Sequence, residues 1–216
     1  MREPVSAREL FRAAYENRYT WDANFPGYST DITVKQGDRL YTGKARINHD
    51  LRYDITDISD DKANELIKGQ VWEIAVHRVR KPFEETHGKN LFELGETDET
   101  GAVAIAVSGR AMGDGYKVRD NVVSLVHRHI HGVVVTINTF STIDTGEGYL
   151  AERYDSVYHD AKTNELKGSS QSEDIYEKIG GYYILTRRVI KEDQSGETVV
   201  TEYGFSNIRL LTPVAV

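Results

Sequence analysis

Tyr28 to Tyr53 reads YSTDITVKQGDRLYTGKARINHDLRY. Tyr28, Thr30, Ile32 and Val34 alternate with Ser29, Asp31, Thr33 and Lys35. That period of two belongs to a strand with one buried face. Gln36-Gly37-Asp38 supplies turn chemistry, and a second run follows from Arg39 to Tyr53. Two strands joined by so short a turn are antiparallel, because a parallel pair needs a long crossover.

The same grammar continues through the chain. Further runs are Ala102–Ser108, Tyr116–Arg119, Val122–Ile130, Val133–Phe140, Tyr149–Tyr158, Tyr182–Ile190 and Thr198–Leu210. Gly113-Asp114-Gly115, Gly146-Glu147-Gly148, Asn164 and Ser195-Gly196 punctuate them. Gly168–Asp174 (GSSQSED) reads as the most loop-like stretch.

Two helices interrupt the strands. Ser6 with Glu9 forms a capping box, and Leu10, Phe11, Ala14 and Tyr15 then share one helical face. The second helix opens near Ser59, with Asp60 and Asp61 in its first turn. It carries the stripe Ala63, Leu66/Ile67, Val71, Ile74/Ala75 and Val79, and stops at Pro82. The expected fold is α+β: a long, curved antiparallel sheet, a half-barrel, with an N-terminal helix and one long helix packed on its concave face. No stretch reads as a linker, so residues 1–216 are expected to form a single domain. A half-closed sheet of this kind commonly leaves a cavity at one end.

Composition removes several function classes. The 216 residues contain no cysteine, which excludes disulfides, thiolate zinc sites and a cysteine nucleophile. A net charge of −7 with mixed signs argues against non-specific nucleic-acid binding. No segment approaches the roughly 20 apolar residues of a membrane span, and MREPVSAREL has no apolar signal core. The expected location is the cytoplasm, or the plastid stroma in a eukaryotic host.

SLVHRHIHGVVV, Ser124 to Val135, holds His127, His129 and His131 at alternate positions. His131-Gly132 reads as a hairpin turn, with Gly132 at the positive-φ position, which removes His131 from the set. His127 and His129 remain, on a face expected to include Leu125, Val133 and Val135. Three readings stay open for the pair: part of a wall or pocket, a ligand contact, or two metal ligands completed by His159 or a carboxylate such as Glu152. Arg78 and Arg80, with His77 and Lys81, end the long helix in a positive cluster. It suits a carboxylate or phosphate, or simply favours the helix C-terminus, with Glu84, Glu85 and His87 downstream as candidate partners. Gly109–Gly115 (GRAMGDG) lacks the Lys-Ser/Thr pair and the following helix of a phosphate loop, and reads as a hairpin loop. No nucleophile elbow, zinc-protease or dinucleotide motif is present, and no motif names a cofactor.

RAAYENRYTWDANFPGY (Arg12–Tyr28), IAVHRVRKPFEETHGKNLF (Ile74–Phe92), VHRHIHG (Val126–Gly132), TGEGYLAERYDSVYHD (Thr145–Asp160) and GGYYILTRRVI (Gly180–Ile190) together resemble an uncharacterised domain family of cyanobacteria and plastid-bearing eukaryotes. The resemblance spans essentially the whole chain. In element order, the chain is also similar to the half-barrels of lipoprotein carriers of the LolA and LolB type, through FPGYSTDITV and YTGKARIN. These resemblances imply a non-enzymatic carrier that holds a lipophilic or aromatic small molecule between helix and sheet, with a link to photosynthesis. The pocket would draw on Trp21, Phe25, Trp72, His127, His129 and Tyr154. A metal-dependent enzyme using His127 and His129, and an assembly scaffold docking through Arg78 and Arg80, are the alternatives.

Overall fold

A computed structural model describes residues 5–194 and 196–212. The element order is α1 (Ala7–Glu16), β1 (Gly27–Gln36), β2 (Arg39–Asn48), β3 (Tyr53–Thr56), α2 (Asp61–Arg78), α3 (Phe83–His87), β4 (Asn90–Thr97), β5 (Val103–Gly109), β6 (Gly115–Arg119), β7 (Val122–Ile130), β8 (Val133–Asp144), β9 (Tyr149–Asp160), β10 (Leu166–Ile179), β11 (Tyr182–Gln194) and β12 (Glu197–Leu210). The expected α+β architecture is present. Twelve strands form one open sheet in the order β3-β2-β1-β12-β11-β10-β9-β8-β7-β6-β5-β4, with β3 and β4 as its edges.

The chain divides into two compact units. One comprises Met1–Tyr19 and Lys81–Gln171, the other Thr20–Arg80 and Ser172–Val216. In the first, α1 packs on β4, β6 and β7. Its capping box forms as expected: the Glu9 N–H donates to Ser6 Oγ (3.2 Å) and the Ser6 N–H donates to Glu9 Oε2 (3.0 Å). The apolar face then meets Phe83, Ile105, Val107, Tyr116, Val118 and Val123, with Phe11 stacked 4.1 Å from the Tyr116 ring. In the second unit, α2 packs on β2 and β3. Asp60 caps it by accepting the Ala63 N–H at 2.8 Å. Its buried residues, Ala63, Ile67, Val71, Ile74 and Ala75, belong to the expected stripe, whose last member, Val79, is instead the half-buried C-cap beyond the helix.

Four expectations need correction. The run Arg39–Tyr53 is two strands, because residues 49–52 turn back on themselves: the Asn48 N–H donates to Arg52 O, and Leu51 takes φ +65°. Phe83–His87 is a short helix and Asn90–Thr97 a strand, both unforeseen. In that strand Asn90 is buried and Phe92 half-buried, whereas Leu91 on the other face and Leu94 on the same face are exposed, so its apolar residues do not mark one buried side. GSSQSED lies within β10, where Ser172 and Asp174 are the buried positions. A strand whose buried face is polar does not read as one. Of the turn expected at Ser195-Gly196, Ser195 lies outside the described residues.

A candidate ligand-binding face beside the first helix

The β7–β8 hairpin decides which side chains share a face. His131 (φ +49°) and Gly132 (φ +84°) form its two-residue turn, as expected, and Ile130 then faces Val133. The register continues as Arg128 with Val135, His127 with Thr136, and Val126 with Ile137. Each pair joins an even to an odd number, so parity flips across the turn. His127 and His129 therefore keep Leu125 as a neighbour but not Val133 or Val135, correcting the expected face. Their cross-strand partners are Thr136 and Val134.

The side facing α1 follows from Tyr116, which stacks on Phe11 and pairs with Val126. On that side lie Val126, Arg128 and Ile130 of β7, and Val133, Val135, Ile137 and Thr139 of β8. Tyr158, Ser156 and Tyr154 of β9 follow, paired with Val135, Ile137 and Thr139. Helix α1 packs on β4, β6 and β7, yet the face stays largely apolar on β8 and β9. Val135 and Ser156 are buried there, Val133, Ile137 and Tyr154 are half-buried, and Tyr158 is exposed. From Val133 to Thr139 this strip runs about 20 Å at ~3.3 Å per residue. Tyr154, one of the residues expected to line a pocket, lies on this strip.

Arg128 of β7 stands beside this strip, in the row of Val135 and Tyr158. Its Nε donates to Asp114 Oδ2 at 3.4 Å, and Asp114 Oδ1 accepts the His129 backbone N–H at 2.9 Å. Asp114 has a side chain 5% exposed, against 44% for Arg128. The carboxylate is the buried, anchored partner and the guanidinium the accessible one.

The histidine pair lies on the opposite side of these strands from α1. The two rings meet edge-on at 5.6 Å, and His127 Nδ1 is 2.9 Å from Thr136 Oγ1. His159 lies on the same side, but its row is His129–Val134–His159. A whole strand separates the two histidines, about 10 Å by the usual strand spacing. Among the described residues, no three His, Asp or Glu side chains converge to hold a metal.

The remaining expected residues belong to the second unit. Trp21 and Phe25 are stacked at 4.0 Å and buried, with Tyr28 and Tyr182 edge-on to Phe25. Trp21 Nε1 donates to Tyr183 O. They are core. Trp72 is 56% exposed, off the buried stripe of α2. Arg78 donates to Tyr176 Oη at 3.2 Å and Arg80 to Thr20 Oγ1 at 3.0 Å. Glu84 is not their counter-ion; it pairs with Arg8 at 2.7 Å and Arg12 at 3.4 Å.

One polar centre went unforeseen. Arg188 of β11 donates through Nε and Nη2 to both oxygens of Asp174 in β10, at 2.7 and 2.6 Å. Its Nη1 donates to Gln70 and Glu73 of α2, each at 3.0 Å. Tyr176 Oη donates to Asp174 as well, and burial drives its phenol pKa upward. The Arg188 and Asp174 side chains are only 7% and 1% exposed. This fork ties α2 to the sheet and is fully occupied by protein partners. The available signal was Arg188 on the strand parity of Ile184 and Ile190, with Ser172, Asp174 and Tyr176 at period two.

No curated relative matches the sequence. Among solved structures, the chain is similar to a LolA superfamily protein from Nitrosomonas europaea, with 12% identity, TM-score 0.37, and coverage of 97% of this chain and 95% of that one. It is also similar to a DUF1329 family protein from Desulfovibrio piger (11%, 0.33, 98% and 96%). A third is a putative outer membrane lipoprotein-sorting protein domain from Vibrio parahaemolyticus (9%, 0.34, 97% and 94%). The model of the family described as "Protein of unknown function (DUF3386)" matches residues 2–211, and the chain belongs to that family.

Proposed function

We propose that this chain is a non-enzymatic binding protein that holds a lipophilic or aromatic small molecule beside α1, on the α1-facing side of β8 and β9. The observation that carries this reading is the continuation of an apolar, tyrosine-bearing face past the strands on which α1 packs. An apolar surface left half-open in this way gains about 25 cal/mol for each Å² that a ligand removes from water. Tyr154 and Tyr158 offer flat faces to a planar or polyene body. Pigments and lipids are the classes to screen first, because the family resemblance points to oxygenic phototrophs, with the cytoplasm or plastid stroma as the site of action. The test is a native mass spectrum with an absorption spectrum of protein purified from its own host, followed by titration of a lipid and pigment panel. Binding is expected, and Ile137→Asp should abolish it while leaving the melting temperature within a few degrees. A panel with no binder, or binding indifferent to Ile137→Asp, overturns the reading.

A further inference from the structure

The apolar strip is flanked by a cation, and that cation is underused. Arg128 shares a cross-strand row with Val135 and Tyr158. It makes one long hydrogen bond, through Nε to Asp114 at 3.4 Å, while both Nη groups donate to no described residue. A guanidinium carries a planar fork that matches a carboxylate or phosphate in two parallel bonds. Asp114 cannot swing out to fill that fork, because it is buried and held by the His129 N–H. It fixes the base of the guanidinium and leaves the tip available. The apolar side chains and the fork together describe the two ends of an amphiphile.

We propose that the ligand is an anionic single-chain amphiphile, with its apolar body along Val133, Val135, Ile137, Tyr154 and Tyr158 and its carboxylate or phosphate head on the Arg128 fork. This rests on the binding role proposed above and specifies the class of molecule bound. The local field agrees with it. At buried His87, desolvation is the main force against protonation, and Arg128, Arg18 and Arg8 add to it against the single opposing effect of Asp114. The fixed charges felt at His87, beyond that desolvation, are thus mostly positive.

The test titrates three probes with the same oleoyl chain into the whole protein: oleate, oleoyl lysophosphatidate and uncharged oleyl alcohol. Both anions are expected to bind at least tenfold tighter than the alcohol, and their order reports which head group the fork prefers. Arg128→Gln should bring all three within about threefold of one another without weakening the alcohol. Asp114→Asn removes the competing carboxylate and should tighten the anions severalfold, so a misfolded Arg128 variant does not end the test. Equal binding of all three probes to the unmodified protein, or an anion preference that survives Arg128→Gln, overturns the proposal and leaves the binding strip intact. Failure of all three probes to bind overturns this proposal, while the lipid and pigment panel decides the binding role separately.

Discussion

Lowering the pH from about 7.5 to about 4 places a proton on every histidine of the unfolded chain, while the folded chain resists it at His87. That ring is 5% exposed and packed edge-on against Phe11 at 5.0 Å and Tyr15 at 4.9 Å. Asn90 Nδ2 donates to its Nδ1 at 3.4 Å, a bond available only to the neutral ring. Burial first, then the nearby Arg128, Arg18 and Arg8, lower its pKa from 6.5 to about 4. Between those values the unfolded state binds more protons than the folded one. Stability therefore rises with pH across that window and is lost as pH falls through it. A shift of about 2.5 units at ~1.36 kcal/mol each amounts to about 3 kcal/mol. The assay is urea unfolding at closely spaced pH values for the unmodified chain and for His87→Leu. Lost packing and the orphaned Asn90 give the variant a constant offset, and His77, also lowered by burial, is present in both chains. The stability difference between them should shrink by about 3 kcal/mol on acidification, nearly all of it below about pH 6.5. A difference that stays flat within about 0.5 kcal/mol refutes the reasoning.

Other outcomes follow from single contacts. Asp174→Ala strands a buried Arg188 and should cost about 3–5 kcal/mol in denaturant unfolding, whereas the double change Asp174→Leu with Arg188→Met should return most of it; equal losses would contradict a buried clamp. Gly148→Ala would set a Cβ 2.5 Å from Asn17 O, at the point where Tyr149 N–H donates to Asn17 O, and should cost about 2 kcal/mol or more. Gly146→Ala meets nothing within 4 Å and should cost only about 1 kcal/mol for its positive φ, so similar losses would mean the close approach is unimportant. Iodide should quench Trp72 and spare Trp21, so Trp72→Phe should remove the quenchable share of the fluorescence; quenching that persists in that variant would place Trp72 wrongly.

What could be read in the sequence was what local chemistry enforces. The capping box at Ser6 and Glu9, the stripe of α2 and the turn at His131-Gly132 rest on contacts within a few residues, and each formed as read. What could not be read depends on partners distant in sequence. β10 hides because its inward positions, Ser172 and Asp174, are polar, and they are tolerable there only because Arg188, fourteen residues on, arrives to satisfy Asp174. β4 hides because its apolar residues keep to no single buried face: Phe92 is half-buried, but Leu91 on one face and Leu94 on the other are exposed, and the buried position is the polar Asn90. The histidines show the subtlest failure. Numbering continues through a two-residue turn but facing does not, so a straight reading of HRHIHGVVV puts every odd-numbered residue on one side. Summing paired positions is the remedy. Ile130 with Val133, and Arg128 with Val135, each give an odd total, so even residues of β7 share a side with odd residues of β8. That arithmetic moves attention from His127 and His129 to Arg128, the residue between them, and joins it to the tyrosines of β9 on the side that α1 leaves half-open.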